Sequence, residues 1–232
     1  MPAHNEAELL DDSVTAVVEG LRGRGASFEV LVVENGSSDG THALAEQLGS
    51  RFDEVRVDSL SKADYGPALR RGLLTAHGDA VVNFDVDYYD LDFMTDAVAL
   101  LRSDSDPPAI VVGSKRAPGA DDQRSWPRRF VTWGFTSLLR VLFGLGVSDT
   151  HGMKAMRRGA VVGLAGECRF DADLFDTELV IRSEHAGLTV TEIPVRVSER
   201  RPSRTSILGR ATRSLWGLAR LRAVLWRERR GR

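Results

Sequence analysis

The amino-acid sequence predicts an α/β fold in which a mainly parallel sheet is flanked by helices. Apolar runs bounded by turn residues recur along the chain, and they are as continuous as strands that are buried on both faces. Amphipathic stretches of helical length separate these runs, which gives the alternation of βαβ units. The 232 residues are 42% hydrophobic and 28% charged, so the chain can bury a core and an intrinsically disordered protein is excluded.

The predicted strands and helices alternate along most of the chain. Each predicted strand is a short apolar run, such as FEVLVV or AVVNF, and the five runs are Phe28–Val33, Val55–Val57, Ala80–Phe84, Ala109–Val112 and Val190–Val195. Each predicted helix is an amphipathic stretch, and the five stretches are Glu8–Leu21, Thr41–Leu48, Pro67–Ala76, Asp92–Leu101 and Asp173–Ala186. The long polar segment Arg116–Pro127 is predicted to be a functional or mobile loop.

Charge is distributed unevenly, although the whole chain carries a formal net charge of −2. Residues 196–232 contain twelve arginines and two glutamates, whereas residues 1–195 contain nineteen basic and thirty-one acidic residues. A basic end on an acidic body indicates a polyanionic partner, either a nucleic acid or an anionic lipid surface. We predict one domain over residues 1–206 and a basic amphipathic helix over residues 207–232.

Simple counts exclude several other classes of protein. The single cysteine, Cys168, cannot form an internal disulfide, and the histidines show no zinc-binding spacing. No GxGxxG motif follows the first strand, as a dinucleotide-binding oxidoreductase would require. We expect no secretory signal and no membrane-spanning helix in this sequence.

Two predicted strand ends carry polar residues, and ligands of open α/β sheets bind beyond the carboxyl ends of the strands. The segment Glu34–Thr41 (ENGSSDGT) directly follows the strand that ends at Val33. Taken alone, it is also compatible with a tight turn that leads into a helix. Asp85 and Asp87 follow the strand Ala80–Phe84. Two such carboxylates either hold Mg²⁺ or Mn²⁺ on a diphosphate or form a solvated acidic turn.

Seven short motifs stand in a fixed order along the chain. They are PAHNE at 2–6, ENGSSDGT at 34–41, YGPAL at 65–69, DVD at 85–87, GSKR at 113–116, DTHGMKAMRR at 149–158, and FDTELVIR with VTEIPV at 175–195. This series resembles the inverting GT-A glycosyltransferases of family 2, in particular the dolichol- or polyprenyl-phosphate mannosyl- and glucosyltransferases. The resemblance implies a GT-A fold, the nucleotide-diphospho-sugar transferase fold, with a nucleotide-sugar donor.

The resemblance also implies roles for individual residues. The residues that would border the donor are Pro2, Ala3, Asn5, Glu6, Glu34, Gly36, Tyr65, Gly66 and Asp85. The implied ligands of Mg²⁺ or Mn²⁺ are Asp85 and Asp87, and the implied catalytic set adds Arg116 and Asp149. The residues that would contact phosphates or the acceptor are Lys115, Arg128, Arg129, Lys154 and Glu178.

The sequence departs from the family pattern at three places. Tyr89 replaces the third residue of DxDxQ, and a phenol with a pKa of about 10 is a poor ligand at neutral pH, so water or Asp90 is expected to complete the metal shell. Glu34 and Asn35 replace two aspartates. Family members have a hydrophobic strand before PAxNE, and this first strand is expected to be missing here because the sequence starts downstream of it.

We expect the reaction to be inverting transfer of a hexose from GDP-mannose or UDP-glucose to a polyprenyl phosphate. A phosphate acceptor is already an anion at neutral pH, so the site would act through charge and position rather than through a strong base. A catalytically silent nucleotide-sugar-binding or scaffold protein and a transferase with a soluble acceptor stay open as alternatives. Nucleic-acid binding is not expected, because it explains none of the strand-end motifs.

Two segments are predicted to bring the site to a membrane. Phe130–Leu145 is too short to span a bilayer but apolar enough to lie in its interface. The tail helix has an apolar stripe that either lies on an anionic membrane surface or packs on its own domain. The stripe consists of Leu208, Ala211, Leu215, Leu218, Leu221 and Leu225. The membrane interpretation predicts a cytoplasmic protein that is bound peripherally to the inner face of the cell membrane.

Overall fold

A computed structural model describes residues 1–115, 117, 121–122, 126–150, 152–171, 174–197 and 207–230, with the backbone alone for 121–122, 126–132, 135–136, 196–197, 207–215 and 229. The strands and helices alternate in the predicted manner. In chain order they are β1 (Pro2–Ala3), α1 (Leu10–Gly23), β2 (Val30–Asn35), α2 (Thr41–Arg51), β3 (Val55–Leu60), α3 (Tyr65–Thr75), β4 (Ala80–Asn83), α4 (Leu91–Leu101), β5 (Ile110–Ser114), β6 (Asp121–Asp122), α5 (Trp126–Phe143), β7 (Lys154–Arg157), α6 (Arg158–Glu167), α7 (Phe175–His185), β8 (Val190–Pro194), β9 (Arg196–Val197) and α8 (Ile207–Arg230).

The first sheet is parallel and has the order β1-β2-β3. All six residues of β2 are buried, which explains the unbroken apolar run that predicts this strand. Val14 of α1 and Leu48 of α2 pack in the same core cluster as Val32 of β2. Because the strands are parallel, the segments that follow them reach one edge of the sheet.

Residues 1–3 occupy the position beside β2 where the sequence predicts that a strand is missing. Pro2 pairs with Val33, and the amino group of Met1 donates to the Leu31 carbonyl at 2.8 Å. Beside β2 the structure therefore has a strand of two residues, Pro2–Ala3.

The second sheet has the order β4-β7-β5-β8. β5 and β8 are parallel, whereas β7 runs antiparallel to both β4 and β5. The sequence pattern predicts neither β7 nor α6. The β7 strand, KAMR, is only four residues long and contains no apolar run. Since the other described strand pairs are parallel, the prediction of a mainly parallel sheet is confirmed.

The α8 helix packs on the domain through its leucine stripe. Leu218 and Leu221 are fully buried, and Leu225 is nearly so, in a cluster that also contains residues of α7. The side chain of Leu174 fills the space beside Gly217, where even a methyl group would collide with it. The prediction that these leucines face a membrane is therefore corrected, because the domain itself covers them. The rest of the stripe lies outside the residues whose side chains are described: Leu208, Ala211 and Leu215.

The apolar segment Phe130–Leu145 is divided between the core and the surface. Leu139 is buried, whereas Trp133 is 53% and Val141 is 81% exposed. Among the residues that the structure describes, no helix has the length and apolar character needed to cross a membrane.

Candidate active site

The loop after β1 and the turn after β2 are hydrogen-bonded to each other. The backbone N–H of Asn5 donates to Ser37 Oγ at 3.0 Å, and the N–H of Ser38 donates to Asn5 Oδ1 at 2.8 Å. The N–H of Glu6 donates to Oγ1 of Thr41, the first residue of α2, at 2.8 Å. Asn5 has a φ of 53°, which asparagine adopts more readily than most residues. These bonds create one polar surface at the carboxyl ends of β1 and β2.

The turn after β2 also packs tightly against the segment after β3. Gly36 has a φ of +64°, and a Cβ at this position would lie 2.8 Å from the backbone nitrogen of Ala63, so only glycine fits. Glu34 is 4% exposed. Its Oε1 accepts from the N–H of Ser37 at 2.6 Å, and its Oε2 lies 3.5 Å from His42 Nδ1. Glu34, predicted to receive the base or ribose, thus also shapes its own turn.

The acidic turn after β4 is fixed from two sides. The N–H of Asp85 donates to the Tyr88 carbonyl at 3.1 Å, and the N–H of Tyr88 donates to the Asp85 carbonyl at 3.3 Å. Ser13 Oγ of α1 donates to the Val86 carbonyl at 2.7 Å. From the start of α3, the Tyr65 hydroxyl donates to Asp85 Oδ1 at 2.6 Å. Tyr65, predicted to flank the nucleotide base, is therefore directed at the acidic turn.

Negative charge is concentrated around Asp85. Burial raises the pKa of the Asp85 carboxyl; the hydrogen bond from Tyr65 opposes this, while Asp87 and Asp176 raise the pKa further. Burial also raises the pKa of Tyr65 well above its usual value, so the phenol stays protonated. Asp85 and Asp87 supply the oxygen ligands that Mg²⁺ and Mn²⁺ prefer. Within the described ranges no cluster of three or more potential ligand side chains forms, so this pair would need water and a diphosphate to complete a metal shell.

Tyr89 and Asp90 are engaged elsewhere. The Tyr89 ring lies 6.3 Å from the Phe84 ring, measured between centroids. Asp90 Oδ1 accepts from the N–H groups of Asp92 and Phe93 at 2.9 and 3.0 Å. Asp90 therefore caps the N-terminus of α4, and the hypothesis that it completes the metal shell is corrected.

A buried ion pair lies beside the acidic turn. Lys154 Nζ is 3.1 Å from Asp176 Oδ1 and donates to the Gly152 carbonyl at 2.9 Å. The side chains of Lys154 and Asp176 are only 1% and 10% exposed. The structure thus directs Lys154, predicted to contact phosphate, to an internal carboxylate. Asp176 is not among the residues predicted from the sequence, although the motif FDTELVIR contains it and is the signal that could identify it.

Glu178, predicted to face the acceptor, is fully buried. Its Oε1 accepts from Arg182 Nε at 2.8 Å, and its Oε2 accepts from the N–H groups of Arg169 and Phe170 at 2.9 and 2.8 Å. Arg182 Nη1 in turn donates to Glu228 Oε2 of α8 at 3.0 Å. Glu178 therefore belongs to an internal network that connects α7 with α8, and its predicted contact with the acceptor is corrected.

Asp149 lies on a loop that is fixed at the ends of two strands. Asp149 is 6% exposed, and its N–H and that of Ser148 both donate to Glu192 Oε1 of β8, at 2.9 and 2.7 Å. Ser148 Oγ lies 2.9 Å from Ser114 Oγ at the end of β5. The loop that carries Asp149 is therefore held in place from two neighbouring strands.

The predicted cations are only partly described. Lys115 Nζ lies 5.5 Å from the centre of the Tyr88 ring, next to the acidic turn. Arg116 lies outside the described residues, as do the side chains of Arg128 and Arg129.

The remaining predicted donor residues belong to backbone elements. Pro2 and Ala3 form β1 and are buried. Gly66 lies in the first turn of α3, where its N–H donates to Asp64 Oδ1 at 3.3 Å. The described contacts therefore join the loop after β1 to the turn after β2, and the start of α3 to the acidic turn after β4.

Comparison with known proteins decides the family. Residues 1–163 match the family model described as glycosyl transferase family 2. The chain belongs to glycosyl transferase family 2. This family 2 chain is 31% identical over 200 residues to glycosyltransferase AglD of Haloferax volcanii, a match that covers 84% of the chain and 32% of AglD. It is 26% identical over 225 residues to the dolichyl-phosphate beta-glucosyltransferase ALG5C of Trichomonas vaginalis, covering 90% of the chain and 66% of that protein. The chain thus spans about a third of the length of AglD and just under two thirds of the length of ALG5C.

The family 2 chain also resembles solved structures. One is the crystal structure of glucosyl-3-phosphoglycerate synthase from Mycobacterium tuberculosis in complex with Mn²⁺, UDP and phosphoglyceric acid. The TM-score is 0.68 at 22% sequence identity, and the likeness covers 95% of this chain and 76% of that one. Together with the family match, this likeness confirms the predicted GT-A fold.

Proposed function

We propose that the chain catalyses inverting transfer of a hexose from a nucleotide-diphosphate sugar, UDP-glucose or GDP-mannose, to a polyprenyl phosphate. Its membership of family 2 supports glycosyl transfer. The similarity to a dolichyl-phosphate beta-glucosyltransferase supports a lipid phosphate as the acceptor. The observation that carries the proposal is the acidic turn, where Asp85 and Asp87 follow β4 and Tyr65 bonds to Asp85 Oδ1.

Asp85 and Asp87 would hold Mg²⁺ or Mn²⁺, and such an ion neutralises charge on a diphosphate when it is bound. The turn after β2 and the loop after β1 are suited to the nucleoside, since Asn5, Glu34 and Gly36 shape one polar surface there. Lys115 beside the acidic turn, with Arg116, would add positive charge near the leaving diphosphate. These residues would stabilise the leaving group mainly by electrostatics.

The acceptor supplies its own nucleophile. A phosphate oxygen attacks C1 of the sugar from the face opposite the donor diphosphate, so one C–O bond forms while the C1–O bond to the diphosphate breaks. Because that oxygen is already anionic, the chain has to position it rather than remove a proton. The fixed loop that carries Asp149 is the element we assign to the acceptor side. The prenyl tail of such an acceptor stays in a bilayer, so we place the chain at the inner face of the cell membrane, in the cytoplasm and peripherally bound.

The test is a transfer assay with the purified chain. Radiolabelled UDP-glucose or GDP-mannose is mixed with Mn²⁺ and a short-chain, water-soluble polyprenyl phosphate, and lipid-linked product is counted. We expect product from one of the two donors. Asp87→Asn is expected to lower kcat by at least about 100-fold, because it removes charge where the diphosphate binds.

Asp96→Asn is the matched control, since Asp96 is an exposed carboxylate on α4 and its loss should leave the rate unchanged. A parallel reaction contains 3-phosphoglycerate as the acceptor. Product on 3-phosphoglycerate alone would replace the lipid acceptor with a soluble one. Binding of UDP without transfer to either acceptor would instead support a silent nucleotide-sugar-binding protein, and both results contradict the proposal.

A further inference from the structure

The outer face of α8 combines tryptophan and arginine side chains. Its inner face is formed by Leu218, Leu221 and Leu225, which are buried in the domain. At about 100° per residue, the opposite face collects the exposed residues Trp216, Arg220, Trp226, Arg227 and Arg230. We refer to these five residues as the outer face of α8.

This face carries no negative charge. The only acidic residue in α8 is Glu228, and its carboxylate is turned inward. Glu228 Oε2 lies 3.0 Å from Arg182 Nη1, and its Oε1 lies 3.2 Å from Arg169 Nε. The inward position of Glu228 therefore leaves the three arginines of the outer face without an acidic neighbour on their own helix.

The two tryptophans are unusually exposed for their size. Trp216 is 71% and Trp226 is 52% exposed. Arg220 lies 5.8 Å from the Trp216 ring centre and Arg230 lies 3.7 Å from that of Trp226. The two tryptophans are ten positions apart, which corresponds to about 15 Å along the helix. Each end of the outer face thus presents one aromatic ring with a guanidinium group beside it.

We propose that the outer face of α8 binds the surface of an anionic bilayer, with α8 parallel to the membrane plane. Tryptophan rings are favoured at the level of lipid headgroups, and guanidinium groups bind phosphates in a bidentate manner. The leucines stay in the protein core, so binding requires no unpacking of the helix. This differs from contact between the leucine stripe and the membrane, which is one of the two arrangements that the sequence pattern allows.

The network behind α8 connects this helix to the candidate active site. Arg182, which holds Glu228, lies on the same helix as Asp176, the partner of Lys154 beside the acidic turn. Arg182 follows Asp176 by six positions on α7, which is a rise of about 9 Å along the helix. The inference rests on the proposed function in one respect: a short distance from membrane to site is useful only to an enzyme whose acceptor is a lipid.

The experiment is sedimentation of the whole chain with vesicles, without donor or acceptor. One vesicle type is phosphatidylcholine alone, and the other is phosphatidylcholine mixed with phosphatidylglycerol. We expect binding to the anionic vesicles only. Arg220→Gln with Arg227→Gln should weaken this binding roughly 30-fold at low salt, and the loss should shrink at high salt. Trp216→Ala with Trp226→Ala should weaken it at every salt concentration.

Arg24→Gln with Arg102→Gln is the matched control, since both arginines are exposed and lie at the ends of α1 and α4. This control should bind like the unaltered chain. Equal binding to both vesicle types, or unchanged binding in both α8 variants, would overturn the proposal. Two other results would also overturn the proposal: a dimer in solution, or a complex with an oligonucleotide. In either case the α8 variants would abolish that association while vesicle binding persists. Since no substrate is present, failure here is separate from failure of the transfer assay.

Discussion

The Tyr65 hydroxyl holds one oxygen of the Asp85 carboxylate at 2.6 Å, and the proposed metal ion would bind the other oxygen. Tyr65→Phe removes this bond and keeps the ring. A hydrogen bond to a charged group contributes about 1.5–3 kcal/mol, so we expect the Kd for Mn²⁺ in the presence of UDP to rise by about tenfold or more. Titration calorimetry or the Mn²⁺ electron paramagnetic resonance signal measures this Kd directly.

Thermal unfolding of Tyr65→Phe without metal serves as the control for the fold. An Mn²⁺ affinity equal to that of the unaltered chain would show that Tyr65 does not position Asp85.

Lys154 is the second residue whose role differs from the predicted one. Its ammonium group is buried against Asp176 at 3.1 Å. Lys154→Met leaves a buried carboxylate without its partner, so we expect the free energy of unfolding to fall by about 3–5 kcal/mol. Urea denaturation measures this change.

The double variant Lys154→Met with Asp176→Asn separates an ion pair from a phosphate contact. It should recover part of the lost stability, because the uncompensated charge is gone. If Lys154→Met kept full stability and raised only the KM for the donor, Lys154 would be a phosphate ligand after all.

Within the turn after β2, Gly36 is the position that tolerates substitution least. Its φ of +64° and the 2.8 Å approach to the Ala63 nitrogen exclude a side chain. Gly36→Ala is expected to lower the free energy of unfolding by about 1–3 kcal/mol and to weaken UDP binding, since the turn after β2 must shift. Gly23→Ala at the end of α1, where no atom lies within 4 Å, should leave UDP binding unchanged. Fluorescence-detected denaturation and UDP titration compare the two variants.

The packing of α8 on the domain predicts a large effect of one leucine. Leu221 is fully buried, so Leu221→Ala should lower the free energy of unfolding by about 2–5 kcal/mol. Val141→Ala, at an 81% exposed site on α5, should change it by less than about 0.5 kcal/mol. Equal stabilities of the two variants in a urea titration would mean that α8 does not pack as described.

The same elements show what the sequence can and cannot predict. Long apolar runs identify β2 and β5 because strands buried on both faces need continuous apolar residues. This rule does not identify β7, whose sequence is KAMR. The strand buries Lys154 by pairing it with Asp176, a residue that is distant in sequence. The leucine stripe of α8 is visible in the sequence, but a stripe alone does not tell whether a bilayer or the domain covers it.

For the candidate site, too, the sequence predicts some features and not others. The strand-end motifs identify Asn5 after β1 and Asp85 and Asp87 after β4 as candidates, because ligands of α/β sheets bind beyond the carboxyl ends of the strands. The partners of individual side chains are not predictable in this way. Glu178 stands in a motif of the family, yet its carboxylate is taken up by Arg182 and two backbone N–H groups.

For the whole molecule, the position of β7 between β4 and β5 has a consequence for synthesis. The first sheet is complete once β3 has been made. β4 and β5 emerge from the ribosome earlier than β7, and about 40 residues lie between the end of β5 and the start of β7. At 5–20 residues per second, a growing chain spends roughly 2–8 s with both strands made and their shared neighbour still missing.

During this interval two strand edges are available to other chains, which is the circumstance that favours aggregation and chaperone binding. A nascent chain stalled after residue 150 should therefore be cleaved by protease within residues 80–114 and protected in residues 1–60, whereas one stalled well beyond residue 197 should be protected in both. Equal protection at the two lengths would mean that β4 and β5 find another partner first. The synthesis of β7, a strand of four residues, thus sets how long β4 and β5 wait for the strand that joins them.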